Sequence, residues 1–321
     1  MQISNSLQVV EGAAPETDAD LIQRLDAVLE IRGLSQNKAA QQIGINAAAI
    51  SGLRNGSYSG NRQAVRVKIE QWLATHERRA ATTSLLPTAP SWFEGPAALQ
   101  IKTALSLAHV TADIAVIFGG PGVGKTATCE HYRDTNRNVW IATIPRHCVT
   151  IISMLQQIAD AVGCKEMPHA GARKLFREIS ARIANTAGLL ILDEAQHLPI
   201  DCLDECRCLY DETKVGVAWV GDNKLDDKTR PSLAVPPQLS RRIGVRRGIK
   251  KAGKSDLKAL VEAWGLADEE SIRLLAEIAA RPGALGVATK CIRLAAIDAS
   301  GIDNITAEHI RGAWSNLGGG Q

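Results

Sequence analysis

The sequence predicts an α/β chain: a doubly wound parallel sheet, followed by a helical region and preceded by a small all-α region. Three observations lead there. Apolar runs of strand length at 114–118, 139–144, 189–192 and 215–220 alternate with stretches of helical period, the pattern of β-α-β units with buried strands. The first run passes directly into a glycine-rich turn, 119–126, and then into a helix. Outside that block, residues 21–77 and those from 255 onward carry only helical period.

The 321 residues suffice for roughly two or three domains and a sizeable core. A hydrophobic content of 45% and a charged content of 22% are those of a soluble globular protein. The net charge is only +3, so a nucleic-acid surface would have to come from local clustering. Aromatics make up 4%, which argues against a base-stacking single-strand binder. No secretory leader and no run of about 18 apolar residues is present, so the expectation is a cytoplasmic protein without membrane contact. The seven cysteines include Cys202, Cys206 and Cys208 near His197, but their spacing fits no usual zinc pattern. Reduced thiols on or near a helix are expected.

Taken in order, residues 1–17 look loose. A helix starts at Leu21 and stops at Gly33; Ser35 caps a second, 36–43; Gly44 turns the chain; Asn46 caps a third, ending at Asn55-Gly56. Ala40 sits at the crossing of the second and third helices, and Ala39, Ile43, Ile45, Ile50 and Leu53 face inward. This pair resembles the helix-turn-helix of phage-repressor-type DNA-binding domains. In such a motif Asn46, Ala47, Ala48, Ser51 and Asn55 face the bases, and alanines read little beyond a thymine methyl, so weak sequence preference is expected. Between Ile31 and Ile69 there are Arg32, Lys38, Arg54, Arg62, Arg66 and Lys68 and no acid. The candidate DNA contacts here are Gln36, Lys38, Asn46, Ser51, Arg54, Asn55 and Arg62, against the plainer reading of a solvated basic face. A fourth helix, 62–77, turns Val65, Ile69, Trp72 and Leu73 inward; residues 78–96, with Pro87, Pro90 and Pro96, read as a linker.

The stretch Gly119-Gly120-Pro121-Gly122-Val123-Gly124-Lys125-Thr126, closed by Ala127 in the helix, is a phosphate cradle. Glycines let N–H groups curl around phosphates, the helix N-terminus adds positive charge, Lys125 reaches the β- and γ-phosphates, and Thr126 can ligate Mg²⁺. ATP and Mg²⁺ are thus the expected ligands. The run at 189–192 ends in Asp193 and Glu194: Asp193 suits Mg²⁺ held through water, and Glu194 suits polarising the attacking water. The run at 215–220 ends in Asp222 and Asn223, either of which could contact the γ-phosphate or the water. A basic run follows (Arg241, Arg242, Arg246, Arg247, Lys250, Lys251, Lys254), with a solvated face and DNA contact equally open. Arg146, Arg173 and Lys174 are further candidates for DNA.

With these residues in place, 93–321 resembles the AAA+ ATPases, a P-loop core followed by a helical lid. The whole chain resembles the phage Mu transposition protein B family, through the N-terminal helix pair, 119–126, 138–140, 192–198, 240–243, 281–285 and 292–295. The division implied is 1–77 for a helix-turn-helix DNA-binding domain, 78–96 for a linker, 97–247 for the ATPase core and 248–321 for the lid. The resemblance implies an ATPase that binds duplex DNA with little sequence preference, forms helical filaments with copies of itself, delivers target DNA to a cognate transposase and works in the bacterial host cytoplasm. It makes Arg242, or Arg241, an arginine finger for a neighbouring subunit, and Asp222 or Asn223 the polar sensor. Where many lids carry an arginine, this chain has Gly286, with Lys290 or Arg293 as substitutes. Two other readings are a helicase- or clamp-loader-type assembly ATPase and an ATP-switched, sequence-specific transcription regulator.

Overall fold

The computed structural model describes residues 17–85, 90, 92–165, 167–230, 236–281 and 283–319. The loose start (1–16), Pro87 in the linker, and the last two residues lie outside them. The chain divides into two compact units, Met1–Leu86 and Pro87–Gln321.

The described residues of the first unit form four helices: α1 (Asp18–Arg32), α2 (Gln36–Ile43), α3 (Ala47–Arg54) and α4 (Arg62–Leu85). α2 and α3 are capped by the expected Ser35 and Asn46, and α1 starts three residues earlier than its apolar period, behind a Thr17 cap. Thr17 forms a capping box with Asp20, Ser35 accepts from Lys38 N, and Asn46 accepts from Ala48 N. Gly33 and Gly44 end α1 and α2 in the left-handed region, at φ 59° and 73°. Leu21, Leu25, Ala39, Ala40, Ile50, Ile69 and Leu73 form the shared core. Periodicity stops at Glu77, yet α4 continues to Leu85. Those added residues include two alanines, Ala80 and Ala81, good helix formers that need no apolar stripe.

The second unit carries α5 (Pro96–Thr111), β1 (Ile114–Gly119), α6 (Lys125–Thr135), β2 (Val139–Thr143), α7 (Ile151–Ala161), α8 (Ala172–Ile183), β3 (Leu189–Asp193), α9 (Ile200–Thr213), β4 (Gly216–Gly221), α10 (Asn223–Thr229), α11 (Pro237–Arg241) and β5 (Ile243–Ile249). The five strands are parallel in the order β2-β3-β4-β1-β5. Side chains alternate across the sheet. Ile114, Val116, Leu190, Leu192, Val217 and Trp219 face a core with α7, α8 and α9, whereas Ala115, Ile117, Leu189, Ile191, Ala218 and Val220 face one with α5 and α6. Both faces are covered, hence the near-continuous apolar runs. Four helices complete the unit: α12 (Lys254–Trp264), α13 (Glu269–Ala279), α14 (Ala284–Asp298) and α15 (Ala307–Asn316), around Leu260, Leu275, Ile292 and Ile310.

One element corrects the sequence reading. The basic run contains β5, an edge strand paired with β1. Its Arg246 is not free for solvent or phosphate: it donates to the buried Asp226 carboxylate at 2.7 Å and to Thr229, fastening α10 to the sheet edge. Arg241, Arg242, Arg247, Lys250, Lys251 and Lys254 are exposed.

Candidate nucleotide site

The carboxyl ends of β1, β4 and β3 lie side by side, and the glycine-rich loop, Asp222 and the Asp193-Glu194 pair come together there. Loops at the carboxyl ends of parallel strands are where such sheets bind ligands. Gly122 (φ 76°) and Gly124 (φ 91°) hold left-handed backbone, and an added Cβ on Gly122 would meet Gly283 O at 1.9 Å. The loop is therefore pressed directly against the start of α14.

Lys125 opens α6, and its Nζ donates to Gly119 O at 2.8 Å and Gly120 O at 2.9 Å. Burial depresses its pKa; the Glu194, Asp193 and Asp222 carboxylates oppose that. Thr126 Oγ1 donates to Asp193 Oδ2 at 2.7 Å, and Glu194 N donates to Asp193 Oδ1 at 2.9 Å. Burial raises the Asp193 pKa, with those two bonds opposing. Glu194 has left-handed backbone (φ 59°, ψ 30°), which for a residue with a Cβ costs roughly 1–2 kcal/mol. The turn projects Glu194 into a cleft of about 810 Å³ that Lys125, Arg146, Asp222, Lys224 and Lys228 also line. Asp222 caps α10 through Lys224 N, while Asn223 is exposed on its first turn.

The residues fit a nucleotide with Mg²⁺. The α6 N-terminus has no side-chain cap, so its first N–H groups still need an acceptor. A half-buried ammonium with carbonyl partners and a paired hydroxyl and carboxylate supply the charge and hard oxygens that phosphate and Mg²⁺ need.

A second cavity, about 100 Å³, was not legible in the sequence. Trp92, Phe93, Val123, Ala127, Asp256 and Leu285 line it, on the α6 side of the loop. Trp92 stacks on His131 of α6, centroids 4.0 Å apart and planes 3° apart. Asp256 of α12 accepts from Ala97 N and Gly253 N, both at 2.8 Å, tying α12 to the start of α5. Its position in the first turn of a helix of ordinary period could have suggested only a cap.

Other predicted residues fall elsewhere. Arg242 pairs with Asp211 of α9 at 3.1 Å, and Arg241 is exposed. Lys290 and Arg293 are exposed on α14, and neither lines the cleft; the cations that line it are Lys125, Arg146, Lys224 and Lys228. Arg173 and Lys174 are exposed on α8. In the first unit, Gln36 Nε2 donates to Ala47 O (3.0 Å) and Ser51 Oγ (2.8 Å), and Arg54 donates to Gln36 Oε1 and Asp26. Gln36, Ser51 and Arg54 thus bind one another, fixing α2 to α3. Arg62 donates to Gly56 O and Tyr58 O, and Arg66 pairs with Asp18. Acids of α1 therefore offset a segment that lacks its own. Lys38, Asn46 and Asn55 remain on the exposed surface. Cys202 and Cys206 are buried on α9, Cys206 3.3 Å from Met154, and burial pushes the Cys202 thiol up to about 11.

Comparison with known proteins places the chain. Residues 108–228 match the AAA domain family, and residues 241–317 match the family described as Mu B transposition protein, C terminal. The ATP-dependent target DNA activator B of Escherichia phage Mu is 32% identical over 302 residues, 93% of this chain and 95% of that one. The Mu-like prophage FluMu DNA transposition protein B of Haemophilus influenzae is 31% identical over 274 residues, 84% of this chain and 94% of that one. Two solved structures share the fold. Cdc6p from Pyrobaculum aerophilum matches with a TM-score of 0.55 and 16% identity, covering 73% of this chain and 70% of that one. Aeropyrum pernix ORC1, solved in complex with DNA, matches with a TM-score of 0.50 and 22% identity, covering 73% and 68%. This chain is a nucleotide-binding AAA ATPase and belongs to the Mu B transposition protein family.

Proposed function

We propose that the chain is an ATP-dependent, largely sequence-nonspecific DNA-binding ATPase that assembles with copies of itself along target DNA, delivers it to a transposase and stimulates transposition. One observation carries the reading: a complete nucleotide cleft in a chain akin, over 93% of its length, to a protein named for ATP-dependent activation of target DNA. The α2–α3 pair supports it as a helix-turn-helix. The exposed positions around α3 include Asn46, Ala48 and Asn55, with Arg54 held by Gln36 and Asp26, few free hydrogen-bonding groups for strong base readout. Residues 1–77 would then bind DNA, 97–247 hydrolyse ATP and 248–321 act as the lid.

In this reading Lys125 and the N–H groups at the start of α6 bind the triphosphate, and Trp92, Phe93, Val123 and Leu285 enclose the base. Thr126 and Asp193 hold Mg²⁺, which neutralises phosphate charge when bound. Glu194 takes the proton of the attacking water, and Asp222 orients that water or the γ-phosphate. Arg242, exposed beside α11, serves a neighbouring subunit, so that hydrolysis depends on assembly.

The test is fluorescence anisotropy with unrelated duplexes, with and without ATP, across a salt series. Affinity should rise with ATP, vary little with sequence, and fall linearly in log–log salt plots. Equal affinity with and without nucleotide, in protein shown to bind ATP, refutes it.

A further inference from the structure

We infer that Gln196 is a positioning residue for hydrolysis: its side-chain amide fixes the Glu194 carboxylate and ties it to the end of β4. This rests on Glu194 being the base. The geometry is specific at both ends of the amide. Nε2 donates to Glu194 Oε2 at 2.5 Å, and Oε1 accepts from Asp222 N at 3.2 Å. A carboxylate can only accept and an N–H can only donate, so the two partners together determine which way the amide points.

The surroundings support that placement. A Cβ on Gly221, the last residue of β4, would lie 2.4 Å from Gln196 Oε1, so only glycine leaves room for the amide. The backbone of Gln196 is held as well. Lys228 of α10 donates to Gln196 O at 2.6 Å and to Leu198 O at 3.0 Å, and the His197 ring lies 2.9 Å from Ile144 O. The short turn 195–197 is thus fastened to the elements after β2 and β4.

The clamp occupies Oε2 of Glu194. Oε1 has no hydrogen bond among the described residues, and Glu194 still lines the cleft with Lys125. One oxygen is anchored and the other is left to take a proton from water. A carboxylate on a flexible stem sitting on strained backbone would otherwise sample several rotamers, and displacement of a reacting group by about 1 Å can cost 100-fold in rate. The same amide joins Glu194 to Asp222, so the base and the polar residue at the β4 end keep a fixed spacing.

The experiment is steady-state ATP hydrolysis and nucleotide binding by the full chain carrying Gln196→Ala or Gln196→Glu, each made also in a Glu194→Gln background. The second variant keeps the shape and removes the donor. Both single variants should bind ATP within twofold of the parent and lose about tenfold in kcat at little-changed KM. In the Glu194→Gln background the same changes should move the residual rate less than twofold, because the amide acts through Glu194. Gly221→Ala should reproduce the loss in kcat. An unchanged or raised kcat overturns the inference, as does a loss of similar size in both backgrounds, which marks a structural role, or loss of ATP binding. Normal hydrolysis by Glu194→Gln alone overturns instead the assignment of the base.

Discussion

Asp256→Ala separates the chemistry of the phosphates from the enclosure of the base. Asp256 is 5% exposed, and its two oxygens take Ala97 N and Gly253 N at 2.8 Å each. Hydrogen bonds to a charged acceptor contribute roughly 1.5–3 kcal/mol each, and their loss strands two N–H groups. Water can reach the Gly253 end, where the residue is exposed, so the combined loss is about 3–4 kcal/mol. For a unit of this size each kcal/mol lowers Tm by roughly 2–4 °C, giving a drop of about 10 °C. Calorimetry of the intact chain reads that drop, with Trp264, buried on the same helix, as a fluorescence probe. ATP should bind more weakly, since Asp256 and Leu285 both line the small cavity beside Val123. Asp256→Asn should lose most of the same stability, because its NH₂ must face one of the two donors. A Tm change under about 2 °C, or an asparagine variant as stable as the parent, refutes the reasoning.

Gln36→Ala should cost the first unit about 1–2 kcal/mol in urea unfolding, through its lost bonds to Ala47 and Ser51, and leave DNA sequence preference unchanged. Arg246→Ala should cost about 3 kcal/mol by leaving the buried Asp226 with the exposed Arg230 as its remaining ion pair, seen as a lowered melting midpoint rather than a smaller salt slope for DNA. Glu194→Gln should bind ATP normally and hydrolyse it about 100-fold more slowly in single-turnover assays.

The buried parallel strands and the phosphate loop were legible because their signals are local. Strands covered on both faces must be apolar throughout, and a phosphate loop needs its glycines and lysine adjacent in sequence. The caps Ser35 and Asn46 were readable for the same reason. β5 was not, because Arg247 interrupts the alternation of Ile243, Val245 and Ile249 inside a basic run, and the partner that buries Arg246, Asp226, lies on a separate helix. The second cavity was hidden because Trp92, Val123, Asp256 and Leu285 meet only after the C-terminal helices fold back on α5. Gln36 was legible as a motif position but not as a bond between helices, since its partners lie on the next helix.

The central claim is that nucleotide in the cleft of Lys125 and Glu194 governs assembly on DNA. Electron microscopy of Glu194→Gln protein mixed with linear duplex, with and without ATP, tests it most directly. Continuous protein-coated DNA is expected with ATP, and bare DNA without it. Coating that is the same in both samples, or absent from both while ATP is bound, contradicts it.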